Sequence, residues 1–335
     1  MSSTPFELPA GARFTSDAQH SPVSVDQLFT DFLNDVHQRL LGAHDHRDIV
    51  HRVLDELFLG LRTRRLSSSP HEWAECIQTS RRHALLKLVH QDPFTYRAFS
   101  KPRGYAGDAQ MMDYIYGREE RWSPPEAERL GQLIFDFTTG APASEGVRAR
   151  RGYVAEMIDR LADRCARPHV LAIASGHLRE ANLSSAIRRG KIGRLVALDA
   201  DSKSLTEVDR AYGHLGAITV PAKFRSLLTN KLNLGQFHLV YSTGLFDYLE
   251  QPVAQRLVAT MFQMLRPRGK LMVANFLPGV RDVGYMETYM DWQLVYRTRQ
   301  DMIDLTAEIA ESEIHDVRLC SEDQRNIIFL EVRKR

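Results

Sequence analysis

Residues 169–201 constrain the fold of this chain more than any other stretch. A short apolar run, Val170–Ala174, ends in the small residues Ser175 and Gly176, and after a segment of helical pattern a second apolar run ends at Asp199. This order predicts one βαβ unit, with two parallel strands and a ligand crevice at their carboxyl ends. The first run carries no charge, which is typical of a strand buried on both faces of a parallel sheet.

The end of each predicted strand carries residues that suit a nucleoside ligand. Ala174 and Gly176 have little or no side chain, so a ligand can approach the backbone there, and the next helix would offer N–H groups to an anion. Asp199 ends the second strand, where dinucleotide- and adenosyl-binding folds place the carboxylate that accepts hydrogen bonds from a ribose diol. The alternative interpretation of Asp199 is a helix N-cap.

The composition is that of a globular protein and gives little support to a nucleic-acid-binding, disulfide-linked, zinc-binding or membrane-spanning protein. The 335 residues are 43% hydrophobic, and the net charge of +2 provides no electrostatic case for nucleic-acid binding. Cys76, Cys165 and Cys320 are far apart, so they predict neither a disulfide framework nor a zinc site, and no metal is expected. No apolar stretch is long enough for a membrane span, and residues 1–24 lack a signal-peptide pattern. We therefore expect a cytoplasmic protein with a flexible N-terminal tail.

The helical pattern that follows this tail predicts two domains. Residues 25–140 show apolar residues at helical spacing without a strand pattern, which predicts an all-α cap. A loop is expected at Arg62–Pro70, where basic residues precede three serines and a proline. The small residues, Gly and Pro of Thr138–Gly146 indicate the boundary to a second domain, which we place at residues 147–335.

The second domain alternates strands with helices. Three further apolar runs predict strands at Ala217–Pro221, Phe237–Gly244 and Lys270–Phe276. Two more runs, Ile314–Leu319 and Ile327–Val332, are separated by a short charged turn, so they must pair antiparallel. The predicted fold class is therefore α/β, a seven-stranded Rossmann-like sheet with an antiparallel final pair and an all-α N-terminal cap.

Several motifs in residues 147–335 resemble those of class I S-adenosylmethionine (SAM) dependent methyltransferases. The family's first strand ends in acid-x-Gly-x-Gly-x-Gly, of which Ala174-Ser-Gly-His-Leu178 keeps the middle glycine. Further matches are Asp199, Tyr241-Ser-Thr-Gly244 after the fourth strand, and Leu265-Arg-Pro-Arg-Gly-Lys-Leu271 before the fifth. The resemblance implies SAM as the cofactor and transfer of its methyl group to a small-molecule substrate.

Other stretches resemble a bacterial methyltransferase subgroup that makes methyl esters of 3-hydroxy fatty acids as cell-density signals. They are Pro102-Arg-Gly-Tyr-Ala-Gly-Asp108 with Met111-Met-Asp-Tyr-Ile-Tyr116, Gly244-Leu-Phe-Asp-Tyr-Leu249, and Tyr289-Met-Asp-Trp-Gln-Leu-Val-Tyr-Arg297. That group also has a helical region before its SAM domain. The resemblance implies a lipid-like or other small acceptor, with a carboxylate or hydroxyl group, in secondary metabolism or signalling. The chain departs from this pattern at His177, where a small residue or Pro is expected.

The parts of SAM suggest a role for each cofactor candidate. Asp199 suits the ribose, and the backbone around Gly176 or the guanidinium of Arg103 suits the tail carboxylate. An aromatic face of Tyr105 or Tyr114 suits the sulfonium, while Glu180 suits the amine. His177 either contacts the methionine tail or fills space. The full set of cofactor candidates is Arg103, Tyr105, Tyr114, Ala174, Gly176, His177, Glu180, Asp199 and Ser242.

The aromatic-rich insert after the fifth strand is the predicted substrate pocket. If the insert is helical, its tyrosines and Trp292 share one stripe, and Glu287 and Asp291 share another. Such a stripe is also typical of a core, but here it accompanies two carboxylates, which can act as general bases toward a hydroxyl or amine. With a carboxylate acceptor no base is needed, and Arg297 or Tyr296 would orient it. The catalytic candidates are Glu287, Asp291, Tyr296 and Arg297.

Two other functions are compatible with the same residues. The sulfonium makes all three attached carbons electrophilic, so a related enzyme can transfer the aminocarboxypropyl group, or cyclise it to azetidine-2-carboxylate and release methylthioadenosine. An enclosed aromatic pocket without a channel for a second substrate would favour that chemistry. The degraded glycine motif instead favours a non-catalytic SAM-fold binding protein. A homodimer is one assembly that we consider.

Overall fold

The computed structural model describes residues 25–43, 45–120, 125–229 and 231–335. The tail predicted at residues 1–24 lies outside the described residues, and so does Ser123, where the Ser-Pro-Pro-Glu sequence predicts a helix start. None of the described helices is long and apolar enough to cross a membrane.

The chain before the first strand is helical, as predicted. The helices are α1 (Val25–Gly42), α2 (Arg47–Ser67), α3 (Pro70–Arg82), α4 (Leu85–Val89), α5 (Pro93–Ser100), α6 (Ala109–Glu120), α7 (Arg129–Gly140) and α8 (Pro142–Arg164). The loop predicted from Arg62 is wrong, because α2 continues to Ser67 and places the Arg65 side chain against Glu287. The next helix then starts with a capping box in which Ser69 and Glu72 bond reciprocally, and Pro70 takes the first helical position.

The predicted linker Thr138–Gly146 is almost entirely helical. Helix α7 ends at Gly140 and α8 begins at Pro142, so only Ala141 separates them. Proline lacks an N–H and has a helical φ, and it therefore starts a helix without loss of a hydrogen bond. One apolar cluster contains Phe58 of the helical region and Phe329 of the last strand. The division into two domains at this point stays a prediction.

A seven-stranded sheet confirms the predicted fold class. Its strands are β1 (His169–Ile173), β2 (Arg194–Asp199), β3 (Ala217–Pro221), β4 (Phe237–Ser242), β5 (Leu265–Phe276), β6 (Ile314–Ser321) and β7 (Ile327–Lys334), in the order β3-β2-β1-β4-β5-β7-β6. The first five are parallel, and β7 runs antiparallel to both of its neighbours. This is the Rossmann-like sheet of the class I methyltransferase fold.

Two apolar clusters cover the two faces of this sheet, which explains the uncharged first strand. Leu171 and Ile173 belong to one cluster, and Val170 and Ala172 belong to the other. The later helices are α9 (Glu180–Leu183), α10 (Ser185–Arg188), α11 (Ser202–Tyr212), α12 (Arg225–Leu228), α13 (Gln251–Gln263), α14 (Val283–Tyr289) and α15 (Arg299–Asp304). Strand order reverses between β1 and β4, and a ligand crevice is expected beyond their carboxyl ends.

Candidate functional site

A pocket of about 840 Å³ lies at the carboxyl ends of the central strands. The turns after β1, β2 and β4 line it from the sheet, and residues Pro102–Gly107 line it from the helical region. The fold therefore brings the predicted ligand crevice and residues Pro102–Gly107 of the helical region to one cavity.

The turn after β1 keeps a left-handed backbone at three alternate residues. Ala174 has φ 52°, Gly176 has φ 52° and Leu178 has φ 54°. These are the three positions at which the resembling motif has glycine. A residue other than glycine costs about 1–2 kcal/mol in this conformation, so Ala174 and Leu178 hold strained backbone. The turn therefore retains the shape of the motif without two of its glycines, and the Ser175 hydroxyl beside it is buried without a hydrogen-bond partner among the described residues.

Asp199 faces this turn with unused hydrogen-bonding capacity. Its Oδ2 accepts the N–H of Gly176 at 2.8 Å, and its Oδ1 accepts the N–H of Asp201 at 2.8 Å. Each carboxylate oxygen can accept a further hydrogen bond. Burial raises the pKa of Asp199, while the backbone N–H groups oppose that rise. The alternative role as a helix N-cap is wrong, because Asp201 caps α11 by accepting the N–H of Lys203.

The helix predicted after the turn forms as two helices of one turn each, α9 and α10. Asp159 of α8 accepts hydrogen bonds from Ser184 and Ser185, and the Ser184 side chain caps α10. These contacts divide the helix. A one-turn helix has few aligned peptides to build a dipole, so the site for an anion at its N-terminus stays a prediction with little support from the helix length.

Arg103 and His177 meet at the rim of the pocket. Arg103 Nη1 donates to Asp201 Oδ2 at 2.8 Å and lies 3.4 Å from His177 Nε2. The other ring nitrogen of His177 lies 2.8 Å from Asp113 Oδ2, and Asp113 also pairs with Arg179. Both arginines of this cluster therefore already have carboxylate partners. His177 connects helix α6 to the turn after β1.

Of the four remaining cofactor candidates, two line the pocket and two do not. Glu180 lines the pocket and accepts a hydrogen bond from a buried tyrosine of β4, and burial raises its pKa. Tyr105 lines the pocket and is 38% exposed. Ser242 and Tyr114 do not line it. The Ser242 hydroxyl is buried without a partner among the described residues, and Tyr114 packs against Phe135 in the helical region.

The predicted stripe of the insert is geometrically wrong, because the chain leaves the helix after Tyr289. Helix α14 covers only Val283–Tyr289, and Asp291 takes a left-handed φ of 46°. Glu287 accepts hydrogen bonds from Arg65 and from the indole of Trp73. The Asp291 carboxylate pairs with Arg81 and Lys101. Both carboxylates thus fix α14 and the following residues to the helical region, and neither lines the pocket.

Arg297 is buried and Tyr296 is half-buried, and neither lines the pocket. Arg297 is 1% exposed and donates hydrogen bonds to the backbone oxygens of Phe246 and Leu249 and to two side-chain oxygens, those of Gln251 and Asn275. It therefore fixes the turn after β4. The Tyr296 hydroxyl has no hydrogen-bond partner among the described residues. None of the four predicted catalytic side chains lines the pocket, so their position gives no support to a catalytic role.

Sequence reasoning missed the residues that line the pocket beyond β4. Asp247 and Tyr248 lie there, although the motif containing them was noted only for its resemblance, and Trp292 of the predicted aromatic stripe lies beside them. A Cβ at Gly107 would lie 2.4 Å from the Tyr248 hydroxyl and 2.7 Å from the Trp292 ring. Only glycine therefore allows residues 101–108 to approach so closely. The available signal was the position of a polar residue after a parallel strand.

Comparisons with known proteins bear on the fold. No protein-family model matches the chain, and no curated protein matches its sequence. A possible exported protein from Bordetella parapertussis has a similar structure, with a TM-score of 0.57 and 14% identity over 80% of this chain and 99% of that one. Magnesium protoporphyrin IX methyltransferase from Synechocystis PCC 6803, solved with SAH, has a TM-score of 0.45 and 11% identity over 68% and 96% of the two chains. N-methyltransferase NodS from Bradyrhizobium japonicum WM9 has a TM-score of 0.40 and 12% identity over 56% and 96%. At these identities the similarity concerns the fold alone.

Proposed function

We propose that this chain is a SAM-dependent methyltransferase that acts on a small or lipid-like metabolite. The observation that carries the proposal is the joint geometry of the turn after β1 and Asp199. Three left-handed residues shape the turn, and the Asp199 carboxylate lies beside it in the pocket, where each of its oxygens accepts one backbone N–H and can accept one more hydrogen bond. Dinucleotides would need a phosphate-binding helix N-terminus, and the one-turn helix α9 does not supply one.

The residues around the pocket fit the chemical groups of SAM. Asp199 would accept the ribose hydroxyls, Glu180 would bind the amine, and the face of Tyr105 would attract the sulfonium. The rim arginine Arg103 would reach the tail carboxylate only by sharing its charge with Asp201. When bound, SAM supplies an electrophilic methyl group. The chain's own contribution is to orient that methyl toward an acceptor and to exclude water from the pocket.

The acceptor side of the pocket suits an apolar molecule. Phe276, Trp292 and Leu294 line the pocket near β5. This apolar lining supports a lipid-like acceptor and, with the motif resemblance, a role in bacterial secondary metabolism or signalling in the cytoplasm.

By-product analysis tests the proposal. The purified protein is incubated with SAM alone and then with octan-1-ol, octylamine or octanoate, and the products are identified by mass spectrometry. Formation of S-adenosylhomocysteine (SAH) only when an acceptor is present supports methyl transfer. Methylthioadenosine formed from SAM alone would instead assign aminocarboxypropyl transfer or cyclisation. Absence of SAM and SAH binding in calorimetry would contradict every SAM-dependent function.

A further inference from the structure

Asp247 is a buried carboxylate that belongs to the pocket but to none of the cofactor contacts proposed above. It lies in the turn after β4, is 3% exposed and lines the pocket beside Gly244 and Tyr248. Its Oδ1 accepts the backbone N–H of Phe276 at 2.8 Å. Its Oδ2 makes no hydrogen bond among the described residues and lies 3.6 Å from Arg150 Nη1. One oxygen is therefore fixed, and the other is available to a ligand.

The turn that carries Asp247 is held rigidly. Arg297 donates hydrogen bonds to the backbone oxygens on both sides of Asp247, at Phe246 and Leu249. The backbone oxygen of Asp247 accepts the N–H of Val295 at 2.8 Å. A base or binding group must be held in place to act efficiently, and these contacts provide that rigidity.

We propose that Asp247 binds the nucleophilic group of the acceptor and takes its proton, so that the acceptor presents a hydroxyl or amine rather than a carboxylate. This inference rests on the proposed methyltransferase function. The O–H or N–H proton moves to Asp247 Oδ2 while a bond forms between the nucleophile and the methyl carbon. The pair of the broken carbon–sulfur bond stays on sulfur, which leaves SAH. Asp247 then releases the proton to solvent.

The charges around Asp247 favour this class of acceptor. Arg150 donates to the Thr243 backbone oxygen, and its charge is matched by Asp247 itself. Arg297 donates its hydrogen bonds to protein oxygens and does not line the pocket, and Tyr248 and Tyr296 are neutral neighbours whose pKa values are raised by burial. An acceptor carboxylate would thus be repelled by ionised Asp247 and would compete with it for Arg150, whereas a hydroxyl or ammonium group would find a hydrogen-bond acceptor.

Burial raises the pKa of Asp247 to about 7, although Arg150 and Arg297 oppose the rise. A proton acceptor with a pKa near neutrality is suited to general base catalysis at that pH. Because the ionised form increases as pH rises, affinity for an ammonium probe and the rate of methyl transfer should both increase through about pH 7.

Three proteins test the inference: the wild type, Asp247→Asn and the matched control Asp282→Asn. Asp282 is likewise buried, has a pKa of about 7 and accepts a backbone N–H, that of Ala143, but it does not line the large pocket. Calorimetry measures the binding of octan-1-ol, octylamine and octanoate to each protein saturated with SAH. These probes share one apolar body and differ only in the group that would face Asp247.

In the wild type and in Asp282→Asn, octan-1-ol and octylamine should bind at least tenfold more tightly than octanoate, with octylamine affinity rising through about pH 7. Asp247→Asn should lose that preference and its pH dependence while it retains its affinity for SAH. In turnover with octan-1-ol or octylamine, its kcat should fall by about 10²- to 10⁴-fold.

Two outcomes overturn the inference alone: equal behaviour of the two variants, or binding of SAH without preference for the hydroxyl or amine probe over octanoate. Failure of all three probes to bind the SAH-saturated wild type also overturns it. Absence of SAH binding to the wild type overturns the methyltransferase function itself.

Discussion

Asp199 provides the sharpest test of the proposed cofactor site. Each of its oxygens already accepts one backbone N–H and can accept one ribose hydroxyl. A hydrogen bond to a charged group contributes about 1.5–3 kcal/mol, so two such bonds contribute about 3–6 kcal/mol. Since 1.4 kcal/mol corresponds to a factor of ten, Asp199→Ala should raise the Kd of SAH by about 10²- to 10⁴-fold.

Asp199→Asn should have an intermediate effect. Its single acceptor oxygen can satisfy only one backbone N–H, because the amide nitrogen then faces the other donor and one ribose bond is lost. We expect Kd to rise by about 10-fold to 10²-fold. Because burial raises the pKa of Asp199, the ionised acceptor is lost as pH falls through that pKa. The affinity of the wild type for SAH should therefore decrease toward acidic pH, and that dependence should disappear in Asp199→Ala.

Isothermal titration with SAH measures both effects, with circular dichroism to verify that each variant is folded. Asp209→Asn is the matched control, because Asp209 is an exposed carboxylate on helix α11 that accepts a hydrogen bond from Thr219 outside the pocket. A Kd for folded Asp199→Ala within threefold of the wild-type value would refute this assignment of the ribose site.

Three further predictions concern stability. Ala174→Gly should raise the melting temperature, since about 1 kcal/mol of left-handed strain is relieved. Leu178→Gly should instead lower the free energy of unfolding by about 2–4 kcal/mol, because loss of the buried side chain outweighs that relief. An increase in the free energy of unfolding of Leu178→Gly would contradict this reasoning. Arg297→Met should destabilise the protein by about 3–5 kcal/mol in urea unfolding, because it leaves buried backbone oxygens without hydrogen-bond donors. An unchanged urea midpoint would show that these oxygens find other donors. Burial raises the pKa of Asp282 to about 7. Between pH 4 and 7 the folded state therefore holds a proton that the unfolded state has lost, and the free energy of unfolding should fall by up to about 4 kcal/mol as pH rises across that window. Asp282→Asn should remove this loss of stability. Equal pH dependence of the wild type and Asp282→Asn would exclude Asp282 as its source.

The sheet was predictable because each strand shows a recognisable run of apolar residues in the local sequence. Uncharged apolar runs such as that ending at Ala174 are typical of strands with both faces covered, and the short turn before Ile327 permits only antiparallel pairing. The position of Asp199 at the end of such a run also sufficed to place it at the pocket.

The errors arise where distant side chains decide the local structure. Asp159, remote in sequence, divides the helix after the turn by bonding Ser184 and Ser185. The insert keeps helical spacing through Asp291, yet the carboxylate there pairs with two cations of the helical region and the chain leaves the helix. Burial of Arg297 depends on carbonyl oxygens that the turn after β4 exposes inward. No local pattern carries that information.

The apolar cluster that joins Phe58 to Phe329 has a consequence for how the chain unfolds. A surface shared so extensively cannot be opened without exposing both parts to water, so the helices and the sheet should lose structure in one cooperative transition. A fragment that begins at Pro142 would present the face around Tyr285 and Met286 to solvent and should aggregate rather than fold. We therefore expect residues 25–140 to be a required part of the folding unit, and removal of these residues should abolish folding of the rest.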